Sequence, residues 1–485
     1  MMKQNCHHIF KNWWLKWTKI AFTQFYVQST GSNLNAGSTK TDSATFTYAS
    51  GNWVAATGVF TVASGNPSSD GVAVGDFASV YANGSTVTGF VGRVTARDTT
   101  TITVSLTAKS GTAPVDGTGN RTLKIGGAWK GCNGTEAFPL DFAAGTMTNT
   151  TGNPPHVAWK AGTYSITGAL THSLDTGAIW HEGYTTTIGD GGYAIIDGGT
   201  SGASYKLLNV TGKNTNFVYF KFQNNGATGS VDGVGVTGNE NMFYRCIFKN
   251  IRGMGLAANA VCNATECEFT VCNQSNTSTK GGVQLLSSGS VCLRNISHHN
   301  TGSNGTGFFL DQSMLVQGCI AWANGNDGFS SVGDVNQTYL NCDAYDNGRH
   351  GFNMQTTASM CANFYNCNAV KNVSGGWNFG TNAKNGWLKN CGFGSGTQAN
   401  GTDIIESVPG IRVDGKVTYT ANTTPWNSPS TGDFRITSSE AKGAGTGYYT
   451  QQEGGYTGTV AYPDIGAAQH QDSGSSGGAG LMVVF

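Results

Sequence analysis

Charge is scarce in this chain. Only 12% of its 485 residues are Asp, Glu, Lys or Arg, and 28 basic residues balance 28 acidic ones. With no excess of either sign there is no bulk electrostatic basis for binding nucleic acid, which rests on neutralising phosphates. No stretch approaches the roughly 18–20 apolar residues of a membrane span, so no transmembrane segment is read. The first residues carry lysines but neither a clean apolar run nor a small-residue cleavage site, so no secretory signal is read. No heptad stretch is present to drive a coiled coil. The 12 cysteines show no CxxC…CxxC spacing, which argues against a zinc ribbon. Proline is also rare, at 9 residues.

Glycine is what the chain has in excess: 71 residues, about twice ordinary usage. Without a collagen period or proline enrichment, that density means many tight turns between short strands. Three regions differ in pattern. In residues 1–24, Phe10, Trp13, Trp14, Trp17, Ile20 and Ala21 recur at helical spacing, with Lys11, Lys16 and Lys19 mostly off the stripe. This reads as an amphipathic segment, a cap over an open β-end or a membrane-surface anchor. Residues 25–36 read as a first strand. Residues 37–128 hold alternating runs such as "TITVSL" and read as a small inserted β-domain near the N-terminus.

From about residue 215 a repeat becomes plain. Cys246, Cys267, Asn295, Cys319, Cys342, Cys367 and Cys391 align, 21 to 28 residues apart. A period in the low twenties with irregular insertions is the signature of a β-solenoid, one coil per repeat. Period-two alternation sends each anchor and the residue two further on inward, as in Cys342 and Ala344. The thiols are therefore expected to form a buried, inert stack. Val283, Phe308, Phe329, Phe352 and Trp377 each open the next strand, and Asn300, Asn324, Asn347 and Asn372 should pile into a hydrogen-bonded ladder. The fold expected is all-β, a parallel β-helix over 129–400, with a closing segment over 401–470 and a Gly/Ser-rich tail over 471–485.

With these repeats, "FYVQSTGSNLNAGS" (25–38) is similar to the opening phrase of secreted β-helix proteins, and "GDFRITSSEAKGAG" with "YPDIGAAQ" is similar to their closing segment. The chain resembles the right-handed parallel β-helix superfamily, the pectate-lyase-like proteins. The resemblance implies an extracellular or virion-surface setting, a polysaccharide or glycan partner and, for spikes of this fold, a homotrimer. It also implies where lyase machinery would stand. "NGNDGF" (324–329) is similar to a calcium-binding NxDDGF segment, with Asp327 at one acid position but Asn326 at the other. "RHGFNM" has Asn353 where such lyases place a lysine base. No cofactor is expected; calcium, held by Asp327 and Asp334, is the one candidate.

Outward positions supply the remaining candidates. His298, Trp322 and Tyr345 should form an exposed aromatic column, with Lys371 beside it, as a platform for a sugar chain. Asp343, Asp346 and His350 are the catalytic candidates; a hydrolase would need two carboxylates roughly 5–10 Å apart. The reading favoured is a surface or virion β-helix that binds polysaccharide or serves as a structural or adhesive part of a particle, without an intact lyase site. A polysaccharide lyase or hydrolase using the face around 322–350, and a purely structural spacer, are the alternatives.

Overall fold

A computed structural model describes residues 23–86, 90–131, 155–173, 178–278, 280–331, 336–354, 361–379, 385–394, 410–419, 424–441 and 444. The amphipathic segment up to residue 22, the phrase 462–469 and the tail 471–485 lie outside them, as does Asp334.

Each coil of the solenoid contributes three short strands, and each strand pairs in parallel with its counterparts on neighbouring coils. Sheet 1 has twelve strands, from Thr23–Val27 to Ile411–Asp414. Sheet 2 has eleven, from Gly162–Ser165 to Val417–Thr418. Sheet 3 has nine, from Leu170–His172 to Gly375–Phe379. One coil illustrates the path. Cys361–Tyr365 lies in sheet 1, Asn366 turns the chain at φ 54°, and Asn368–Val370 lies in sheet 2. Lys371, at φ 59°, turns it again towards Gly375–Phe379 in sheet 3. Both corners use the left-handed region, which Asn tolerates better than other residues with a Cβ.

The inward stacks are those the repeat predicts. Phe308, Phe329, Phe352 and Trp377 lie face to face with centroids 4.8, 4.8 and 4.5 Å apart. Side-chain volume is shared across the core. Where sheet 2 contributes Phe248 or Phe269, the same coil's sheet 3 contributes Leu256 or Val283. Where sheet 2 contributes Ala321, Ala344 or Ala369, sheet 3 contributes Phe329, Phe352 or Trp377. Such pairing of large with small keeps the density near that of an organic crystal. The asparagine ladder forms: Asn300 donates to Asn324 at 2.7 Å, Asn324 to Asn347 at 3.0 Å, and Asn347 to Asn372 at 2.9 Å. Nine cysteines, from Cys246 to Cys391, are buried and unbridged, and burial pushes Cys391 up to about 12. The repeat begins before its signature does. In register with Cys246 stand Gly162, Ala194 and Phe220, so the early coils hide from an alignment built on cysteine.

The inserted domain is a closed antiparallel barrel of six strands, from Phe46–Val54 to Gly117–Ile125. It has its own core of Tyr48, Trp53, Phe60, Phe90 and Leu123 among others. Phe77 of the barrel meets Phe25 at 5.2 Å, and Phe25 stacks on Trp129 at 5.0 Å. The barrel therefore packs against the first strand of the solenoid, several coils away from the predicted aromatic column.

Candidate functional site

The aromatic column exists, but it is not open. His298, Trp322 and Tyr345 are in register on the outward face of sheet 2, and His298 stacks on Trp322 at 4.9 Å. Strands Trp426–Ser428 and Asp433–Ile436 pair antiparallel and lie over it. Trp426 meets Tyr345 at 5.5 Å, and Phe434 meets both Trp322 and Tyr345 at 6.2 Å. Trp322 keeps 8% of its surface and Tyr345 4%, within a cluster that includes Ile320, Val370, Tyr419 and Ile436. This corrects the expectation of an exposed sugar platform. Contiguous outward Ile, Trp, Tyr and Val make an apolar patch large enough to demand a cover, and the C-terminal strap supplies it.

The catalytic candidates each engage a partner outside their own set. Asp343 is fully buried and accepts from Asn368 at 2.8 Å. Asp346 occupies a left-handed corner and pairs with Lys371 at 3.1 Å, while Lys371 also lies 5.5 Å over the Tyr345 ring. His350 lies on sheet 3, its Nδ1 3.1 Å from Asp327 and its backbone N–H donating to the same carboxylate at 3.2 Å. Asn353 donates to the other Asp327 oxygen at 2.7 Å. Asp327 is 2% exposed and engaged by donors on both oxygens, an arrangement that suits a structural carboxylate rather than a calcium ligand. Among the described residues no group of three or more His, Cys, Asp or Glu could hold a metal.

Two groupings were missed by inspecting only positions after each anchor. The first lies before it, on the outward face of sheet 1, where Tyr365 stands two residues ahead of Cys367 and Trp387 four ahead of Cys391. Their rings meet at 5.7 Å, half-buried. Lys389 sits 5.1 Å over the Trp387 ring and Arg412 5.5 Å. Asp414 fixes the group, accepting from the Trp387 indole N–H and from Arg412 Nε, each at 2.8 Å, and the Arg412 contact lowers its pKa. The result is an outward-facing aromatic surface with two cations around it.

The second is a corner. Between sheets 1 and 2 the left-handed position is Gly318, Asn341, Asn366, Asn390 and Gly415 on five coils, but Tyr219, Arg245, Glu266 and Arg294 on four consecutive earlier ones. Glu266 bridges the two arginines, with Arg245 Nε at 2.6 Å and Arg294 on its other oxygen. Arg245 also donates to the Tyr219 hydroxyl at 2.7 Å and lies 5.0 Å over the Tyr244 ring. The pair with Glu266 outweighs burial and raises the Arg245 pKa.

This geometry defines a right-handed parallel β-helix. Residues 232–393 match the family model described as "Right handed beta helix region". No curated protein matches the sequence. Among solved structures, pectate lyase Pel9A is 17% identical, with 65% of this chain and 88% of that one covered and a TM-score of 0.42. The A-module of the Azotobacter vinelandii mannuronan C-5 epimerase AlgE4 is 12% identical over 59% of this chain and 74% of that one, TM-score 0.37. The Dettilon tailspike protein gp208 is 14% identical over 59% and 66%, TM-score 0.37.

Proposed function

We propose that this chain is a surface β-helix that binds polysaccharide along the outward face of sheet 1, as an adhesive or structural part of an extracellular or virion particle. The observation that carries the reading is the Tyr365 and Trp387 surface with Lys389 and Arg412 beside it. Planar rings give CH–π contact to sugar faces, and the cations orient polar substituents. The cysteines favour a particle over a secreted enzyme. Nine buried, unbridged thiols suit a chain that folds in a reducing compartment and is exposed afterwards. Asn353, at the position where the resemblance expects a lysine base, is buried against Asp327, which supports a role without lyase chemistry. Spikes of this kind are trimeric, so a homotrimer is the assembly proposed.

The test is a panel of acidic and neutral polysaccharides, with binding measured on the full chain. Trp387→Ala should weaken retention on the best ligand at least tenfold while leaving the melting temperature unchanged. Absence of binding to every member, with a folded trimer in hand, would retire the reading in favour of a spacer. A depolymerase is the second reading, for which one observation speaks. Glu268 contacts His298 Nε2 at 3.0 Å, and His298 Nδ1 contacts His299 Nδ1 at 2.8 Å, a carboxylate–imidazole chain at the uncovered edge of the strap. Appearance of unsaturated or reducing ends on the same panel would select it.

A further inference from the structure

We propose that the corner formed by Tyr219, Tyr244, Arg245, Glu266 and Arg294 is an anion-binding site that takes a carboxylate or sulfate substituent of an acidic glycan. The association with a glycan rests on the preceding section; the anion chemistry does not.

Three features point to an external ligand. The first is placement. At this corner five later coils use Gly318, Asn341, Asn366, Asn390 and Gly415, the residue types that enter the left-handed region most easily. Here four consecutive coils carry Tyr, Arg, Glu and Arg instead; the corner between sheets 2 and 3 departs likewise on five coils, at Val271, His299, Ala323, Asp346 and Lys371, but only the first corner gathers two guanidinium groups around one carboxylate. The second is charge. Two guanidinium groups share one carboxylate, leaving the group net positive, with the arginine side chains still 35% and 34% exposed. The third is the set of donors that remain. Arg245 spends Nε and Nη1 on Glu266 and Tyr219, and Arg294 spends Nη2 on Glu266. Arg294 Nε is buried with no hydrogen-bond partner among the described residues. Glu266 and the Tyr244 ring hold the two planar forks in place, which is how arginine achieves bidentate recognition of a carboxylate or sulfate.

The site also lies in line with the Trp387 surface. Tyr244 is in register with Thr265, Leu293, Gln317, Leu340 and Tyr365 on the outward side of sheet 1. Five coil steps separate Tyr244 from Tyr365, about 24 Å at the spacing of neighbouring strands. A polymer laid along the axis would reach both, whereas a trisaccharide would reach only one.

The experiment titrates the full chain with trigalacturonate, with cellotriose as the neutral control and inorganic sulfate as the bare anion, by calorimetry at low salt. The expected result is trigalacturonate binding at least tenfold tighter than cellotriose, competed by sulfate. Arg294→Gln should reduce it at least tenfold, and Arg294→Lys, which keeps the charge but loses the planar fork, about threefold. Should Arg294→Gln fail to fold, Arg294→Lys carries the test alone. Trp387→Ala should leave part of the trisaccharide binding intact while abolishing retention of long polymer. If trigalacturonate and sulfate both fail to bind, or bind equally to the wild type and the Arg294 variants, the corner is an ion ladder and the proposal is overturned. Binding of trisaccharide lost in Trp387→Ala but kept in Arg294→Gln overturns the corner and leaves the Trp387 reading standing. Arg294-dependent trisaccharide binding without polymer retention does the reverse.

Discussion

Replacing Trp426 by Ala should release the C-terminal strap without unfolding the solenoid. Trp426 is 2% exposed and packs edge-on against Tyr345 at 5.5 Å and Phe434 at 5.1 Å. Truncating a buried Trp to Ala costs about 3–5 kcal/mol. That loss falls on a cluster distinct from the one inside the coils, since Ile320, Trp322, Tyr345 and Val370 meet the strap on the outside of sheet 2. At about 1.4 kcal/mol per factor of ten, a 4 kcal/mol loss raises the detached population roughly a thousandfold. Amide exchange should therefore accelerate by about that factor at Thr437 and Ser438, whose N–H groups bond to the Pro425 carbonyl, and Trp322 should become quenchable by acrylamide. Solenoid amides such as that of Ala323, bonded to the Tyr345 carbonyl, should keep their protection. Trp426→Phe is the control. The indole N–H has no hydrogen-bond partner among the described residues, so this change keeps most of the packing and should cost under about 1.5 kcal/mol. Equal acceleration of strap and solenoid amides would refute the reasoning, because the strap would then belong to one cooperative unit with the coils. Unchanged strap exchange in Trp426→Ala would refute it from the other side.

Three further outcomes are expected. Asn347→Ala should destabilise the solenoid by about 2–4 kcal/mol, because the Asn324 N–H and the Ala321 carbonyl lose the partners Asn347 provides; chemical denaturation checks it, and a loss under about 1 kcal/mol would show that the ladder is ornamental. His181 is fully buried, and desolvation holds its pKa well below the ordinary value. The unfolded chain then binds a proton that the folded one refuses, so stability should fall as the pH drops below about 6.5, and His181→Phe should flatten that part of the melting-temperature profile. Calcium and a chelator should leave the melting temperature of the wild type equal within error, since the Asp327 oxygens already accept from His350 and Asn353; a calcium-dependent rise abolished by Asp327→Asn would overturn that assignment.

The parts of the fold legible in the sequence were those in which one residue type repeats in a single environment. Cysteine at the anchor and asparagine in the ladder meet nearly the same neighbours on every coil, so stacking turns local chemistry into a period. The early coils escaped because Gly162, Ala194 and Phe220 fill the same place with different volumes. Alternation correctly sent Trp322 and Tyr345 outward, but outward is not exposed. What covers them is a strap about a hundred residues downstream that shares no repeat with the coils. The same rule would have found Trp387 and Tyr365 had it been applied to the strand before the anchor as well as the strand after it. Asp346 and Lys371 looked like site residues because sequence carries no record of φ, and both stand at left-handed corners where they pair with each other.

The corners also show how architecture and function can be told apart in a solenoid. A left-handed residue with a Cβ costs about 1–2 kcal/mol, less for Asn and nothing comparable for Gly. At Asp346 and Lys371 that cost accompanies one exposed ion pair, worth at most about 1 kcal/mol, and a cation over the Tyr345 ring that helps seat the strap. At Tyr219, Arg245, Glu266 and Arg294 it is incurred on four coils in succession, and at the other corner on five, at Val271, His299, Ala323, Asp346 and Lys371, so the departure alone does not mark a site. Two ion pairs on the nearly buried Glu266, a hydrogen bond to the Tyr219 hydroxyl and the Arg245 guanidinium over the Tyr244 ring offset part of it. What sets the earlier corner apart is its chemistry: two guanidinium groups share one carboxylate and keep donors unused, the arrangement an anion would engage.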